Sequence, residues 1–108
     1  MITVHTKLVA LLGTPLAQSL STLMQNAAFR SCGLDYEYFP VETTEQSLAP
    51  IVAGIRHMNF AGFGVTKPDK VAVIKHLDEL DEFAAKMGAV NTVVIGEGGK
   101  LKGYNTDG

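Results

Sequence analysis

The chain contains one cysteine, Cys32, in 108 residues. An intramolecular disulfide is therefore impossible, which removes the usual staple of small secreted domains and makes a cytoplasmic home the expectation. As a lone thiol, Cys32 reads as a small core residue. No apolar run approaches the ~20 residues that a membrane-spanning helix needs. The N-terminus, MITVHTKLVALLG, lacks both a basic n-region and an A-x-A cleavage site, so no signal peptide is expected. Charge is sparse and nearly balanced, at 19% of residues with a formal net charge of −2. Nucleic acids and anionic membrane surfaces recruit a basic excess that this composition does not supply. Repeats and low-complexity segments are absent. The histidines, His5, His57 and His76, have no paired ligand spacing, so no metal site is expected.

What is present is enough hydrophobic content, 46%, for one buried core in a single domain. Strand-like and helix-like segments alternate, which argues for an α/β fold with a largely parallel sheet. KLVALLG (7–13) is a continuous apolar run ending in glycine, as in a strand covered on both faces. After the polar loop TPLAQSLS (14–21), Ser21 is placed to cap a helix running to about Cys32. Leu23, Met24, Ala27, Ala28 and Cys32 would form its inner face, and Gly33 would end it. YEYFPV (36–41) predicts the second strand. Leu48, Ile51, Val52 and Ile55 predict a helix capped by Ser47, a start that leaves Pro50 in the tolerant first turn. AGFGVT (61–66) predicts a third strand. A helix then opens at Pro68, with Val71, Ile74 and Leu77 inward. LDEFAAKMG (80–88) predicts a short helix closed by Gly88. AVNTVVI (89–95) and KLKGY (100–104) predict a hairpin around GEGG. The spacing of GEGGK fits no phosphate-binding loop, and a strand follows it rather than a helix.

Four stretches carry candidate chemistry. Ser19 and Ser21 precede a helix; they either cap it or, with its N-terminus, hold a carboxylate. GVTKPDK (64–70) follows a strand and opens a helix, so it lies at the carboxyl edge of the sheet, where α/β folds bind ligands. Lysines at a helix start are disfavoured by roughly 0.3–1 kcal/mol, and Asp69 offsets only part of that. Lys67 and Lys70 there are either solvated or one of them serves proton transfer. Asn91, in an otherwise apolar strand, needs partners, which are either backbone groups or a ligand. Asp107, in NTDG (105–108), is a turn former or cap, or else a partner for Lys70 across the same sheet edge.

Taken in order, GTPLAQSLST (13–22), GVTKPDK (64–70), GAVNT (88–92) and NTDG (105–108) resemble the motif series of the shikimate dehydrogenases, in their N-terminal, substrate-binding domain. The resemblance spans the whole chain. It implies a three-layer α/β domain with a mainly parallel, mixed sheet flanked by helices. By position, Ser19 and Ser21 match the pair that holds the substrate carboxylate. Thr66, Asn91 and Asp107 match the groups that hydrogen-bond the ring hydroxyls, and Lys70 matches the catalytic lysine with Asp107 beside it. Lys67 falls at a variable position. The implied activity is reversible, NADP-dependent reduction of 3-dehydroshikimate to shikimate, a step of aromatic amino acid biosynthesis.

Family members bind NADP in a C-terminal Rossmann domain. The expectation is therefore that residues 1–108 form the substrate half and do not turn over alone. The partner expected is the small-molecule ring acid, not nucleic acid or membrane. Three positions depart from the pattern: Gln18 for the usual His, Thr22 for Pro and Gly64 for Asn. They leave open a relative acting on quinate or another substituted ring. A binding module that kept the pocket and lost hydride transfer is the remaining alternative.

Overall fold

A computed structural model describes residues 1–17 and 19–107. Six strands form one mixed sheet in the order β2-β1-β3-β5-β6-β4. The strands are β1 Lys7–Gly13, β2 Tyr36–Glu42, β3 Phe60–Val65, β4 Glu79–Leu80, β5 Thr92–Ile95 and β6 Leu101–Tyr104. The helices are α1 Ser21–Ser31, α2 Leu48–Ile55, α3 Asp69–Ala72 and α4 Glu82–Met87. β1 pairs in parallel with both β2 and β3, and β5 is antiparallel to both β3 and β6. This is the mixed α/β architecture that the resemblance implied.

The core occupies one face of the sheet. Ala10 and Leu12 of β1 lie opposite Phe63 and Val65 of β3, and Phe63 opposite Val93 of β5. These side chains join Leu48, Val52 and Ile55 of α2, Val73 and Ala84 in a single buried cluster. Burying a side chain the size of Phe63 or Leu12 stabilises the fold by roughly 1.5–3 kcal/mol. α2 begins where the position of Pro50 requires, at Leu48, with Thr44 and Ser47 exchanging side-chain-to-backbone hydrogen bonds across its start. α4 starts on Asp81, whose carboxylate accepts the Phe83 N–H, and ends on left-handed Gly88.

The opposite face differs from expectation. Leu23 and Met24 of α1 are each 69% exposed, and Cys32 is exposed rather than in the core. Among the described residues, α1 is the helix on this side, and it packs chiefly on β2 at the sheet edge. Its buried residue is polar: Asn26 Nδ2 donates to the Tyr38 carbonyl and Asn26 Oδ1 accepts the Tyr38 N–H, both at 2.8 Å. The side chain thus supplies the pairing that an outer strand would have given β2. Asn26→Ala leaves both buried backbone groups unpaired. The expected loss is about 2–4 kcal/mol of unfolding free energy, readable as a lowered urea midpoint.

Two further details depart from the sequence reading. Ser21 is the first residue of α1 rather than its cap, and Leu20 holds the cap position without a side-chain bond. Pro68 stands before α3, which runs four residues and tightens into a 3₁₀ turn at Val73–His76. The tightening turns Val73 inward and leaves Val71 65% exposed.

Candidate active site

The antiparallel excursion assembles the site. β3 ends at the carboxyl edge with Val65 and hands over to Thr66 and α3. β5 runs the other way, so the residue before it, Asn91, lies at that same edge; its carbonyl accepts the Val65 N–H at 2.8 Å. β6 returns, so Asn105, Thr106 and Asp107 come off its end at this edge too. Asn91 is therefore just outside the strand expected to contain it, and the hairpin is closed by a short 3₁₀ turn at Glu97–Gly99.

There, Lys70 Nζ lies 2.9 Å from Asp107 Oδ2. Asn91 Nδ2 donates to Asp107 Oδ1 at 2.9 Å and to Thr106 Oγ1 at 3.0 Å, and its Oδ1 accepts the Thr106 N–H. Asn91 thereby holds the 105–107 segment against the end of β5. The hydrogen bonds from Lys70 and then Asn91 hold the Asp107 carboxyl below the usual carboxylate range. Because the folded value is depressed, the pair is intact above the ordinary carboxylate range. It fades only as pH falls through the lowered value. Lys70 is fixed at its backbone as well, where its carbonyl accepts the Val90 N–H at 2.9 Å. An ammonium on a tethered side chain beside a solvated carboxylate can give up and recover a proton, with the carboxylate orienting it.

Lys70, Thr66, Asn91 and Asp107 line one cavity of about 540 Å³ over the exposed face of the sheet. Its floor is Val9, Leu11, Gly62, Gly64 and Thr92, with Tyr38 at one side. Tyr38 was not singled out from the sequence. The signal was there in the alternation of YEY, which sends Tyr36 and Tyr38 to one face. Burial pushes the Tyr38 hydroxyl up from its ordinary pKa, so it stays neutral and able to donate or accept.

Ser19 and Ser21 are not among the residues lining this cavity. Ser19 Oγ accepts the Ser21 N–H at 3.2 Å, so within the chain this hydroxyl serves the local turn. Gln18 lies outside the described residues. Thr22, at the family's proline position, has a buried hydroxyl with no partner among the described residues, and nothing in the structure explains it. Lys67 is exposed and makes no side-chain ion pair among the described residues. The described residues contain no group of three or more His, Cys, Asp or Glu placed to hold a metal. The hairpin that carries Gly96, Gly98 and Gly99 has no α-helix directly after it whose N-terminus could face a diphosphate.

Comparison with known proteins agrees with this fold. A family described as "Shikimate dehydrogenase substrate binding domain" matches residues 11–93. A protein of Methanococcus maripaludis strain C6 named shikimate dehydrogenase (NADP(+)) is 48% identical over all 108 residues, which cover 38% of its length. A shikimate dehydrogenase solved in complex with NADP+ superposes with a TM-score of 0.95 at 42% identity, covering 100% of this chain and 37% of that one. A shikimate 5-dehydrogenase from Listeria monocytogenes, solved with shikimate and NAD, gives a TM-score of 0.93 at 45% identity, covering 98% and 36%. The chain thus spans a little over a third of the length of these relatives. No helix among the described residues is long and apolar enough to cross a membrane. With the family model matched over residues 11–93, the motif series in order and the fold matched throughout, the chain belongs to the family of shikimate dehydrogenase substrate-binding domains.

Proposed function

We propose that the chain is the substrate-binding half of an NADP-dependent shikimate dehydrogenase, which reversibly reduces 3-dehydroshikimate to shikimate in the cytoplasm. The observation that carries this reading is the Lys70–Asp107 pair, 2.9 Å apart on the wall of a cavity large enough for a six-membered ring acid. NADP is assigned to the part of the relatives that this chain does not span.

In the reduction, hydride arrives at the ring carbonyl carbon and negative charge develops on the oxygen. The Lys70 ammonium supplies the proton that converts this oxygen to a hydroxyl, and in the reverse direction its neutral amine accepts that proton. Asp107, held by Asn91, keeps Lys70 aimed and accepts a hydrogen bond from the reacting hydroxyl. Thr66 and Asn91 bind the remaining ring hydroxyls. Ser19 and Ser21 grip the carboxylate; the Ser19 oxygen accepts the Ser21 N–H while its own O–H remains to donate to the ligand.

The test is a steady-state assay of the full-length protein with shikimate and quinate, each against NADP and NAD. Turnover of shikimate with NADP is expected, at higher kcat/KM than quinate. Absence of turnover with either ring acid would reject the reading.

A further inference from the structure

Asp69 is adjacent to Lys70, yet its carboxyl group plays no part in the site described. It is only 5% exposed, and its Oδ2 accepts a hydrogen bond from the Thr43 hydroxyl, itself buried. It makes no ion pair with Lys67 or Lys70 among the described residues. The dipole-offsetting role read from the sequence would leave it at the surface. Instead it lines a second cavity, of about 430 Å³, with Thr14, Thr43, Leu48 and Pro68, while Lys70 lines the first. Consecutive residues in a helical turn point about 100° apart, so fixing one sets the direction of the next.

A buried carboxyl group with a hydroxyl partner is an expensive choice where an apolar residue would pack at less cost. Conformity to local rules fails where function intervenes. α3 has four residues, too few to hold its own orientation. Besides the Val90 N–H bond to the Lys70 carbonyl and the buried Val73 that follows, a ring of hydrogen bonds among three loops at the sheet edge holds its first turn. The Thr43 N–H donates to the Gly13 carbonyl at 3.1 Å, the Thr14 N–H to the Lys67 carbonyl at 2.9 Å, and the Thr43 hydroxyl closes the ring on Asp69.

We infer that Asp69 is a positioning residue: anchored by Thr43, it fixes the first turn of α3 so that Lys70 reaches Asp107 from the correct side of the sheet edge. The inference rests on the proposed catalytic role of Lys70, but the geometry it concerns is measurable without substrate. Free to rotate, the long lysine side chain would spread over many rotamers and spend less time at Asp107.

The test uses the full-length protein with Thr43→Val, Thr43→Ser, Asp69→Asn and Asp69→Leu. Carbon-13 NMR titration of the Asp107 carboxyl reads how often Lys70 is beside it. In Thr43→Val that pKa is expected to rise toward the ordinary carboxylate value, and kcat to fall at least about fivefold with KM within about twofold. Thr43→Ser retains the hydroxyl, and Asp69→Asn retains an oxygen that accepts from it; both should stay near the parent in both readouts. Asp69→Leu should lose both, and if it does not fold, the Thr43 pair carries the test. An unchanged Asp107 titration and kcat in Thr43→Val, with only a lowered Tm, would overturn the inference. So would Asp69→Asn as impaired as Thr43→Val. A parent inactive on both ring acids would instead reject the functional reading, while the Asp107 titration would still decide this one.

Discussion

Lys70→Ala, introduced into the full-length protein, is expected to lower kcat for 3-dehydroshikimate reduction by about 10²–10⁴-fold, the range for loss of a general acid–base group. KM should move much less, because in the proposed binding mode the ring is also held by hydroxyl and amide groups that the substitution leaves in place. The same change removes the largest influence on the Asp107 carboxyl, its hydrogen bond to Lys70, so the Asp107 pKa should rise. Two independent measurements therefore follow from one substitution, stopped-flow or steady-state rates and an NMR titration. A kcat within about threefold of the parent would remove Lys70 from the chemistry. The location of the site at the sheet edge would survive that result; its mechanism would not.

Gly62→Ala should be strongly destabilising for a single added methyl group. A Cβ at this position would stand 2.3 Å from the Val93 carbonyl oxygen, in the strand paired directly alongside. The obstacle is backbone, so no rotamer change relieves it, and β3 and β5 must separate. That seam also sets where Asn91 and the 105–107 segment fall. Overpacking commonly costs 1–3 kcal/mol, and a backbone clash belongs at or above about 3 kcal/mol. This is a large share of the roughly 5–15 kcal/mol that holds a domain folded.

Gly64, two residues on in the same strand, is the internal control. A Cβ there meets nothing closer than 3.4 Å, so Gly64→Ala should change unfolding free energy by no more than about 0.5–1 kcal/mol. Urea unfolding of the two variants tests the contrast. Equal midpoints would show that the seam yields far more easily than its spacing implies.

The contrast between these glycines also marks a limit of sequence reading. AGFGVT is legible as a strand from its apolar run, and its observed bounds, Phe60–Val65, differ by one residue at each end. Nothing in the local string says that a Cβ at Gly62 would strike a carbonyl oxygen while one at Gly64 would meet only ordinary contacts, the nearest at 3.4 Å. That depends on β5, a strand that arrives some thirty residues later. α1 teaches the same lesson from the other side. The spacing of Leu23, Met24, Ala27 and Ala28 specifies a shared face. Whether a second layer lies against that face is a property of the rest of the fold, and the helix instead buries Asn26 against the edge of β2. Asp69 shows it again, since a carboxylate in the first turn is ordinarily solvated, and only the arrival of Thr43 from the far end of β2 makes it internal.

The sequence by itself determined the order and kind of nearly every element, because hydrophobic period, proline position and capping chemistry act within a few residues of one another. It also determined which motifs were present, and so the family. Tertiary structure decided that Lys70 and Asp107, thirty-seven positions apart, form one ion pair, and that Asn91 braces it. That outcome comes from the direction of β5. One antiparallel strand brings the start of one motif and the end of another to the same edge of the sheet, and strand direction is fixed by long-range pairing that no local pattern encodes.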